Sequence, residues 1–181
     1  MTQLETPRLR LLPLSMGQLQ LFEDDPYLLS ADLPVPVLPS VVTPVVGRAI
    51  RAKLSKMRLV NAYYHNWYTY WLIVRQDENV GIGLIGFKGV PNGRAEVEIG
   101  YGLAPEQQGQ GFMTEAARAL VNWGLAQPDC TAVTAWTELD NLASQRVLEK
   151  IGMVRDGQQN NQYHWRTPEL PEMQRLTWSN A

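Results

Sequence analysis

The sequence contains only one cysteine and two histidines among its 181 residues. A single cysteine excludes a disulfide within the chain and any metal site built from several cysteines. Cys130 would need a partnering base to act as a nucleophile, and neither His65 nor His164 lies in a recognisable motif. We therefore expect no catalytic cysteine and no metal centre, and this cysteine usage is typical of a reducing compartment.

The chain also lacks long apolar runs and a strong charge of either sign. No stretch approaches the roughly 18 consecutive apolar residues of a membrane span, and charged residues interrupt the apolar start that a secretory signal needs. The formal net charge is −2, which gives no electrostatic basis for binding nucleic acid or an anionic membrane. We expect a cytoplasmic protein with neither of these partners.

What the chain does have is material for a core, with 45% hydrophobic residues, six Trp and seven Tyr. Its length fits one domain over residues 1–181, since domains typically have about 100–200 residues. The predicted order is a strand, helices, a run of strands, a helix, a strand, a helix and two final strands. This order predicts an α+β fold in which a mixed sheet is packed with helices.

Local signals predict where several elements begin. Ser15 and Gln18 have the spacing of a capping box, and the pair Thr43-Pro44 is typical of a helix start. Strands are predicted at residues 71–75, 80–87, 95–103, 132–137 and 162–166, and helices after residues 111 and 141. The five basic residues between positions 48 and 58 are predicted to lie on a solvated helix face.

The segment Gln108-Gly-Gln-Gly-Phe-Met113 lies between a predicted strand and a predicted helix. Several main-chain N–H groups at such a junction have no helical partner, and the helix dipole adds partial positive charge. Gly109 and Gly111 let the chain approach a bulky anion closely, so the loop predicts a phosphate or pyrophosphate cradle. A plain tight turn is the alternative. Residues 107–114 contain no lysine and position 114 is threonine, which excludes a Walker loop and a dinucleotide fingerprint.

Two longer motifs surround and follow this loop. The stretch Glu98-Ile-Gly-Tyr-Gly-Leu-Ala-Pro-Glu-Gln-Gln-Gly-Gln-Gly-Phe-Met-Thr-Glu-Ala116 resembles the acetyl-CoA-binding motif of the GNAT (Gcn5-related N-acetyltransferase) superfamily, Gln/Arg-x-x-Gly-x-Gly/Ala. Met113 departs from that pattern in a way that resembles the ribosomal-protein N-terminal (RimJ/RimL-type) branch. The segments Asn141-Leu-Ala-Ser-Gln-Arg-Val-Leu-Glu-Lys-Ile-Gly-Met153 and Glu5-Thr-Pro-Arg-Leu-Arg-Leu11 are similar to the same branch.

The resemblance implies a GNAT fold, with a central mixed, mostly antiparallel sheet in which two strands splay apart. It also implies acetyl-CoA as co-substrate, with the pantetheine arm held by main-chain groups of the splayed strand 95–103. Asn141 would contact the arm near the thioester, although it could also act as a plain helix cap. The implied cofactor-binding residues are Tyr101, Leu103, Gln108, Gly109, Gln110, Gly111, Phe112, Met113 and Asn141.

The implied chemistry is direct attack of a primary amine on the thioester in a ternary complex. A lysine-like amine with a pKa near about 10 must first lose a proton, so a carboxylate acting through water is helpful. Glu98 is the first candidate for this general base, and Glu96 and Glu138 are the alternatives. Ser144 is the candidate acid, although a first-turn serine could equally bond its own backbone.

Two positions depart from the family pattern. Leu148 stands where many members have a tyrosine that acts as the acid, and Trp136 stands where some N-terminal acetyltransferases have a glutamate. These departures leave room for a non-catalytic acyl-CoA sensor beside the enzyme hypothesis.

The acceptor is expected to be a small-molecule amine or a peptide N-terminus. Residues 28–67, which include a proline-rich loop at residues 33–44, match the family least and are expected to form the acceptor wall together with the Tyr70-Trp71 edge. The aromatic residues between 63 and 71 could frame a pocket or belong to the core, and His164 and Trp165 are candidates for the pocket edge. The oligomeric state stays open between a monomer and a homodimer.

Overall fold

The computed structural model describes residues 3–24 and 32–168, so residues 28–31 of the variable segment lie outside the described part. The strands are β1 (Leu4–Glu5), β2 (Leu9–Pro13), β3 (Trp71–Arg75), β4 (Val80–Phe87), β5 (Glu96–Leu103), β6 (Ala132–Glu138), β7 (Val154–Gln159) and β8 (Gln162–Arg166). They form one open sheet in the order β1-β2-β3-β4-β5-β6-β8-β7. The helices are α1 (Met16–Asp24), α2 (Pro44–Met57), α3 (His65–Tyr68), α4 (Phe112–Leu125) and α5 (Leu142–Lys150).

The predicted helix starts are confirmed in atomic detail. Gln18 N donates to Ser15 Oγ at 3.1 Å, and Ser15 N donates to Gln18 Oε1 at 3.0 Å, which is a reciprocal capping box. Thr43 Oγ1 accepts the N–H of Val46 at 3.3 Å, with Pro44 at the first helical position. Local sequence chemistry therefore fixes where α1 and α2 begin.

The sheet is packed on both faces because successive side chains of a strand point to opposite sides. Leu72 and Leu84 face α1 and α2, in a cluster with Leu19 and Ile50. The opposite face packs against α4 and α5, in a cluster that contains Ile73, Ile85, Phe87, Ile99, Ala117, Leu120 and Leu148. Trp67 and Trp71 also belong to this second cluster, so the core interpretation holds for these two aromatic residues.

The central strands β5 and β6 splay apart, as the resemblance implies. They pair in parallel only from Glu96 to Glu98, opposite Ala132 to Thr134. Beyond this point β5 continues against β4 as far as Leu103, and β6 continues against β8 as far as Glu138. All other strand pairs are antiparallel, so the sheet of the described part is mixed and mostly antiparallel.

Lys53 corrects the prediction that the basic residues of α2 are all solvated. Its side chain is buried, and Nζ donates to the carbonyl oxygens of Tyr68, Thr69 and Phe87 at 3.0, 3.2 and 2.5 Å. The ammonium also lies 4.4 Å from the ring centroid of Tyr70. These contacts tie α2 to the start of β3 and the end of β4, which a charge pattern alone does not reveal.

The burial of Lys53 predicts a pH dependence of stability. Burial, reinforced by the charges of Lys56 and Lys88, lowers the pKa of Lys53 from 10.5 to about 7. Between these two values the unfolded chain binds more protons than the folded one, so stability increases with pH. Relative to Lys53→Met, we expect the wild-type free energy of unfolding to rise by up to about 1.4 kcal/mol per pH unit.

Urea unfolding of both proteins between pH 6 and pH 10 measures this difference. Below pH 7 the difference in the free energy of unfolding should not change with pH, because Lys53 is then protonated in both the folded and the unfolded state. Arg48→Met is the matched control, since Arg48 is an exposed basic residue on the same helix and is not among the charges that lower the pKa of Lys53. Stability curves of wild type and Lys53→Met that stay parallel from pH 7 to pH 10 would contradict the assignment.

Candidate active site

The loop before α4 exposes a continuous set of main-chain donors. Gly109 and Gly111 adopt positive φ angles of 75° and 82°, and Gly111 is the residue that caps α4. The first helical bond runs from Glu115 N to Gly111 O at 3.1 Å. Within the described part of the chain, no acceptor pairs with the N–H groups of residues 109–114. Successive N–H groups without an acceptor at a helix start can bind an anion such as a phosphate.

The side chains of this loop offer a ligand fewer free polar groups than its backbone does. Phe112 and Met113 are buried in the core, so only their N–H groups can reach a ligand. Gln108 Nε2 donates to Leu103 O at 3.3 Å, and Gln110 Nε2 lies 3.5 Å from Glu106 O. The backbone of this loop is therefore its donor surface, and the role of residues 108–113 in binding the cofactor stays a prediction.

The gap between β5 and β6 is lined by main-chain groups of β5. Lys88 N donates to Glu98 O at 2.8 Å, and Ala104 N donates to Ile82 O at 2.9 Å. Hydrogen-bonded pairs alternate along an antiparallel ladder, so Tyr101 and Leu103 direct their N–H and C=O groups away from β4. These groups face the gap, where an extended ligand could pair with them as a strand would, except that the Leu103 carbonyl already accepts a hydrogen bond from Gln108 Nε2.

The start of α5 closes the other side of the gap. Asn141 Oδ1 accepts the N–H of Ser144 at 3.1 Å, so the helix-cap interpretation of Asn141 is correct. The Tyr101 hydroxyl donates to Ser144 O at 3.3 Å and bridges β5 to this helix. Burial raises the pKa of Tyr101 far above its ordinary value. The Ser144 hydroxyl makes no hydrogen bond to its own backbone in the described residues.

The three candidate carboxylates have different partners. Glu98 forms an ion pair with Lys88, its neighbour across β4 and β5. Glu96 pairs with Arg166 at 3.0 Å, while Glu138 Oε1 accepts a hydrogen bond from Gln162 Nε2 at 2.7 Å.

A cavity of about 220 Å³ opens beside Glu98, on the face of the sheet opposite to α4 and α5. Trp136 supplies an aromatic wall, and the tip of the β7–β8 hairpin supplies carboxamide groups. Its lining residues are Lys88, Glu98, Trp136, Gln159, Asn160 and Gln162. A larger groove of about 740 Å³ runs along the outer side of α4 and contains neither Glu98 nor Ser144. The smaller cavity contains Glu98 but not Ser144, so neither of these two cavities holds both the predicted base and the predicted acid.

Several residues considered from the sequence lie outside this site. Leu148 is fully buried in the core, so a leucine there serves packing. Trp165 is also buried and donates its indole N–H to Thr137 Oγ1 at 2.9 Å, which removes it from the pocket edge. His164 borders Trp136 with ring centroids 4.5 Å apart, and its Nδ1 lies 2.5 Å from Asp156 Oδ1. Burial raises the pKa of the Cys130 thiol to about 11, which leaves it unreactive near neutral pH.

The splayed sheet, with the glycine loop after β5, is the arrangement that the GNAT resemblance implies. The sequence profile of the acetyltransferase (GNAT) domain matches residues 39–154, more than half of the chain. The protein belongs to the GNAT acetyltransferase family. The uncharacterized N-acetyltransferase YjdG of Bacillus subtilis is 36% identical over 95 residues, which is 52% of this chain and 56% of that relative. The chain spans about half the length of the curated relatives it matches.

Solved structures share the fold over nearly the whole chain. RimL, a ribosomal L7/L12 alpha-N-protein acetyltransferase solved with coenzyme A, has a TM-score of 0.64 at 18% identity, covering 91% of this chain and 97% of that chain. The ribosomal-protein-S5-alanine acetyltransferase from Vibrio fischeri has a TM-score of 0.63 at 17% identity, covering 93% and 97%. These two likenesses show that the chain shares the fold of these acetyltransferases. No helix among the described residues is long and apolar enough to cross a membrane.

Proposed function

We propose that this protein is an acetyl-CoA-dependent N-acetyltransferase that acts on a primary amine in a ternary complex. The observation that supports it most is the row of free N–H groups at residues 109–114 beside the open gap of β5. A pyrophosphate needs several converging donors, and a pantetheine arm needs extended main chain with which to pair. The loop N–H groups and the open main chain of β5 adjoin each other at the carboxyl end of this strand, which supports both contacts.

The residues of the gap would hold the donor in an extended pose. The loop N–H groups bind the pyrophosphate, and the main chain of Tyr101 and Leu103 pairs with the arm. Asn141 Oδ1 is used by its helix, so its amide NH₂ remains the group that would contact the arm. Acetyl-CoA supplies the activated acetyl group as a thioester.

Glu98 is proposed to accept the proton of the incoming ammonium, directly or through one water. It lines the cavity with Trp136, and its ion pair with Lys88 holds the carboxylate beside the splay. Glu96 is a weaker candidate because it does not line this cavity, whereas Glu98 does. The proton transfer leaves a neutral amine that can attack the carbonyl carbon.

A main-chain N–H of β5 that faces the gap would stabilise the negative charge developing on the carbonyl oxygen. Ser144 is proposed to donate a proton to the departing sulfur. A thiolate with a pKa of about 8.5 needs only modest help of this kind. The Tyr101 hydroxyl bonds the backbone of Ser144 and would hold the start of α5 at the gap.

The acceptor is either a small-molecule amine or a peptide N-terminus. RimL and the S5 enzyme are named for acetylating ribosomal proteins, and this supports the second class. The cavity also favours an acceptor with neutral polar groups, because Gln159, Asn160 and Gln162 offer carboxamides that both donate and accept hydrogen bonds.

The test is to incubate the protein with acetyl-CoA and a panel of a small amine, a free amino acid and a peptide, while measuring released thiol. We expect thiol release above background with at least one primary amine, and an acetylated product by mass spectrometry. Coenzyme A binding without release by any amine would instead support the acyl-CoA sensor, as the departures at Trp136 and Leu148 allow. Absence of coenzyme A binding would overturn both.

A further inference from the structure

The N-terminal motif that resembles the family has no role in the chemistry above, yet Arg8 within it contacts the cofactor loop. Arg8 Nη1 donates to Gln110 O at 3.0 Å, and Arg8 Nε donates to Glu115 Oε2 at 2.7 Å. Its guanidinium lies 4.6 Å from the ring centroid of Phe112. The Arg8 side chain therefore contacts the loop at Gln110 and the first turn of α4 at Phe112 and Glu115.

The Gln110 carbonyl is the group that would otherwise compete with a ligand. In a continuing helix it would accept the N–H of Thr114, four residues later. It bonds Arg8 instead, and the first helical bond is the one from Glu115 N to Gly111 O at 3.1 Å. Thr114 N–H is one of the first-turn donors that the start of α4 at Gly111 leaves free, and the bond from Arg8 occupies the Gln110 carbonyl.

The same hydrogen bond also orients a donor of the loop. The C=O and N–H of a trans peptide unit point in opposite directions, and the described part of the chain contains no cis peptide. Because Arg8 holds the Gln110 carbonyl, the N–H of Gly111 in the same peptide unit must point away from Arg8. The direction of the Gly111 N–H therefore depends on where this one carbonyl points.

Glu115 would be an unfavourable neighbour for a phosphate if its charge were free. Its Oε1 accepts bonds from Thr6 Oγ1 at 2.6 Å and Arg8 N at 2.9 Å, in addition to the Arg8 ion pair. Burial opposes ionisation, but these bonds hold the pKa of Glu115 below its ordinary value. Arg8 therefore balances a fixed negative charge in the first turn of α4.

We propose that Arg8 is a positioning residue for the coenzyme A loop, which holds the Gln110 carbonyl away from the ligand and neutralises Glu115. This inference rests on the proposed function, because the ligand it serves is the pyrophosphate of coenzyme A. Arg8 acts through the loop backbone.

Isothermal titration calorimetry of Arg8→Met with coenzyme A tests the proposal. Losing charge-assisted hydrogen bonds should raise the Kd for coenzyme A by about tenfold. The Kd for pantetheine, which has no phosphate, should change less than twofold, and a general loss of structure would weaken both ligands alike. Arg10→Met is the matched control, since Arg10 lies on β2 and bonds Asn79; its Kd values should equal those of the wild type.

The outcomes separate this inference from the proposed function. Wild-type protein that does not bind coenzyme A overturns the function, and with it the ligand that Arg8 is proposed to serve. If the wild type binds coenzyme A, either of two results overturns the role of Arg8 alone. In the first, Arg8→Met binds coenzyme A as tightly as the wild type. In the second, Arg8→Met loses affinity for pantetheine and for coenzyme A by the same factor. If Arg8→Met does not fold, Arg8→Lys decides, because one ammonium cannot span Gln110 O and Glu115 as the guanidinium does. An unchanged Kd for coenzyme A in that variant overturns the role.

Discussion

Replacing Gly111 with valine is expected to raise the Kd for coenzyme A by about 10- to 100-fold, because backbone strain costs about 1–3 kcal/mol. Gly111 has a φ of 82°, in the left-handed region that a β-branched residue strongly disfavours. Valine can relieve the strain only by rotating the backbone, and that rotation moves the N–H groups on either side of it. The N–H groups of the loop then no longer converge on a phosphate.

Steric contact adds to this strain. A Cβ atom at position 111 would lie 3.4 Å from Arg8 Nη2. The branched side chain of valine would therefore also contact Arg8, which bonds the loop. Gly109→Ala is a useful companion, since position 109 shares the positive φ of 75° but has open space around a Cβ atom. Its loss of affinity should be smaller and should report the backbone strain alone.

Calorimetric titration with coenzyme A measures the effect, and thermal unfolding checks that each variant is folded. The matched control is Gly93→Val, because a Cβ atom there meets nothing within 4 Å and its φ is not positive. Equal affinity of the Gly111→Val protein and the wild type would mean that the loop is only a turn and that the phosphates bind elsewhere.

The loop was predictable from sequence because its chemistry is local. Glycines at 109 and 111 between a strand and a helix already predict free N–H groups, and the structure confirms the left-handed conformations they require. The strands Trp71–Arg75 and Val80–Phe87 were also predictable at their observed bounds, since β-branched and apolar runs between turn residues leave few alternatives. The separation of β5 and β6 was predicted from the resemblance to the family, and residue patterns alone did not predict it.

Contacts between distant segments were not predictable in the same way. The Lys88–Glu98 ion pair depends on the register between β4 and β5, and a slip of one residue would send the two side chains elsewhere. Lys53 sits in a run of basic residues, and only the packing of α2 against β4 shows that it is buried. The bond from Arg8 to Gln110 joins residues about a hundred positions apart, so no local pattern predicts it.

Glu98→Gln should lower kcat at neutral pH by about 10²- to 10³-fold, within the range found for general-base catalysis. Glutamine keeps the size of the side chain and can accept a hydrogen bond, but it cannot take the proton of an ammonium. The reaction is then limited by the small fraction of acceptor that is already neutral. That fraction increases about tenfold per pH unit below the amine pKa.

The loss should therefore shrink as the pH approaches the pKa of the acceptor amine, and rate profiles from pH 6.5 to pH 9.5 with saturating acetyl-CoA measure this. Glu96→Gln is the matched control, since Glu96 lies two residues earlier on the same face of β5 and pairs with Arg166; its kcat should stay within about twofold of the wild type. The KM for acetyl-CoA should change little in either variant, because neither carboxylate belongs to the phosphate loop.

Two results would count against Glu98 as the base. A loss of the same size at every pH would indicate that the carboxylate only supports the structure through Lys88, whose ion pair the glutamine breaks. Lys88→Met separates these cases: it removes the same ion pair but leaves the carboxylate free to accept a proton. If Glu98 is the base, Lys88→Met retains most of the activity that Glu98→Gln loses. If the ion pair alone matters, the two variants are equally impaired at every pH.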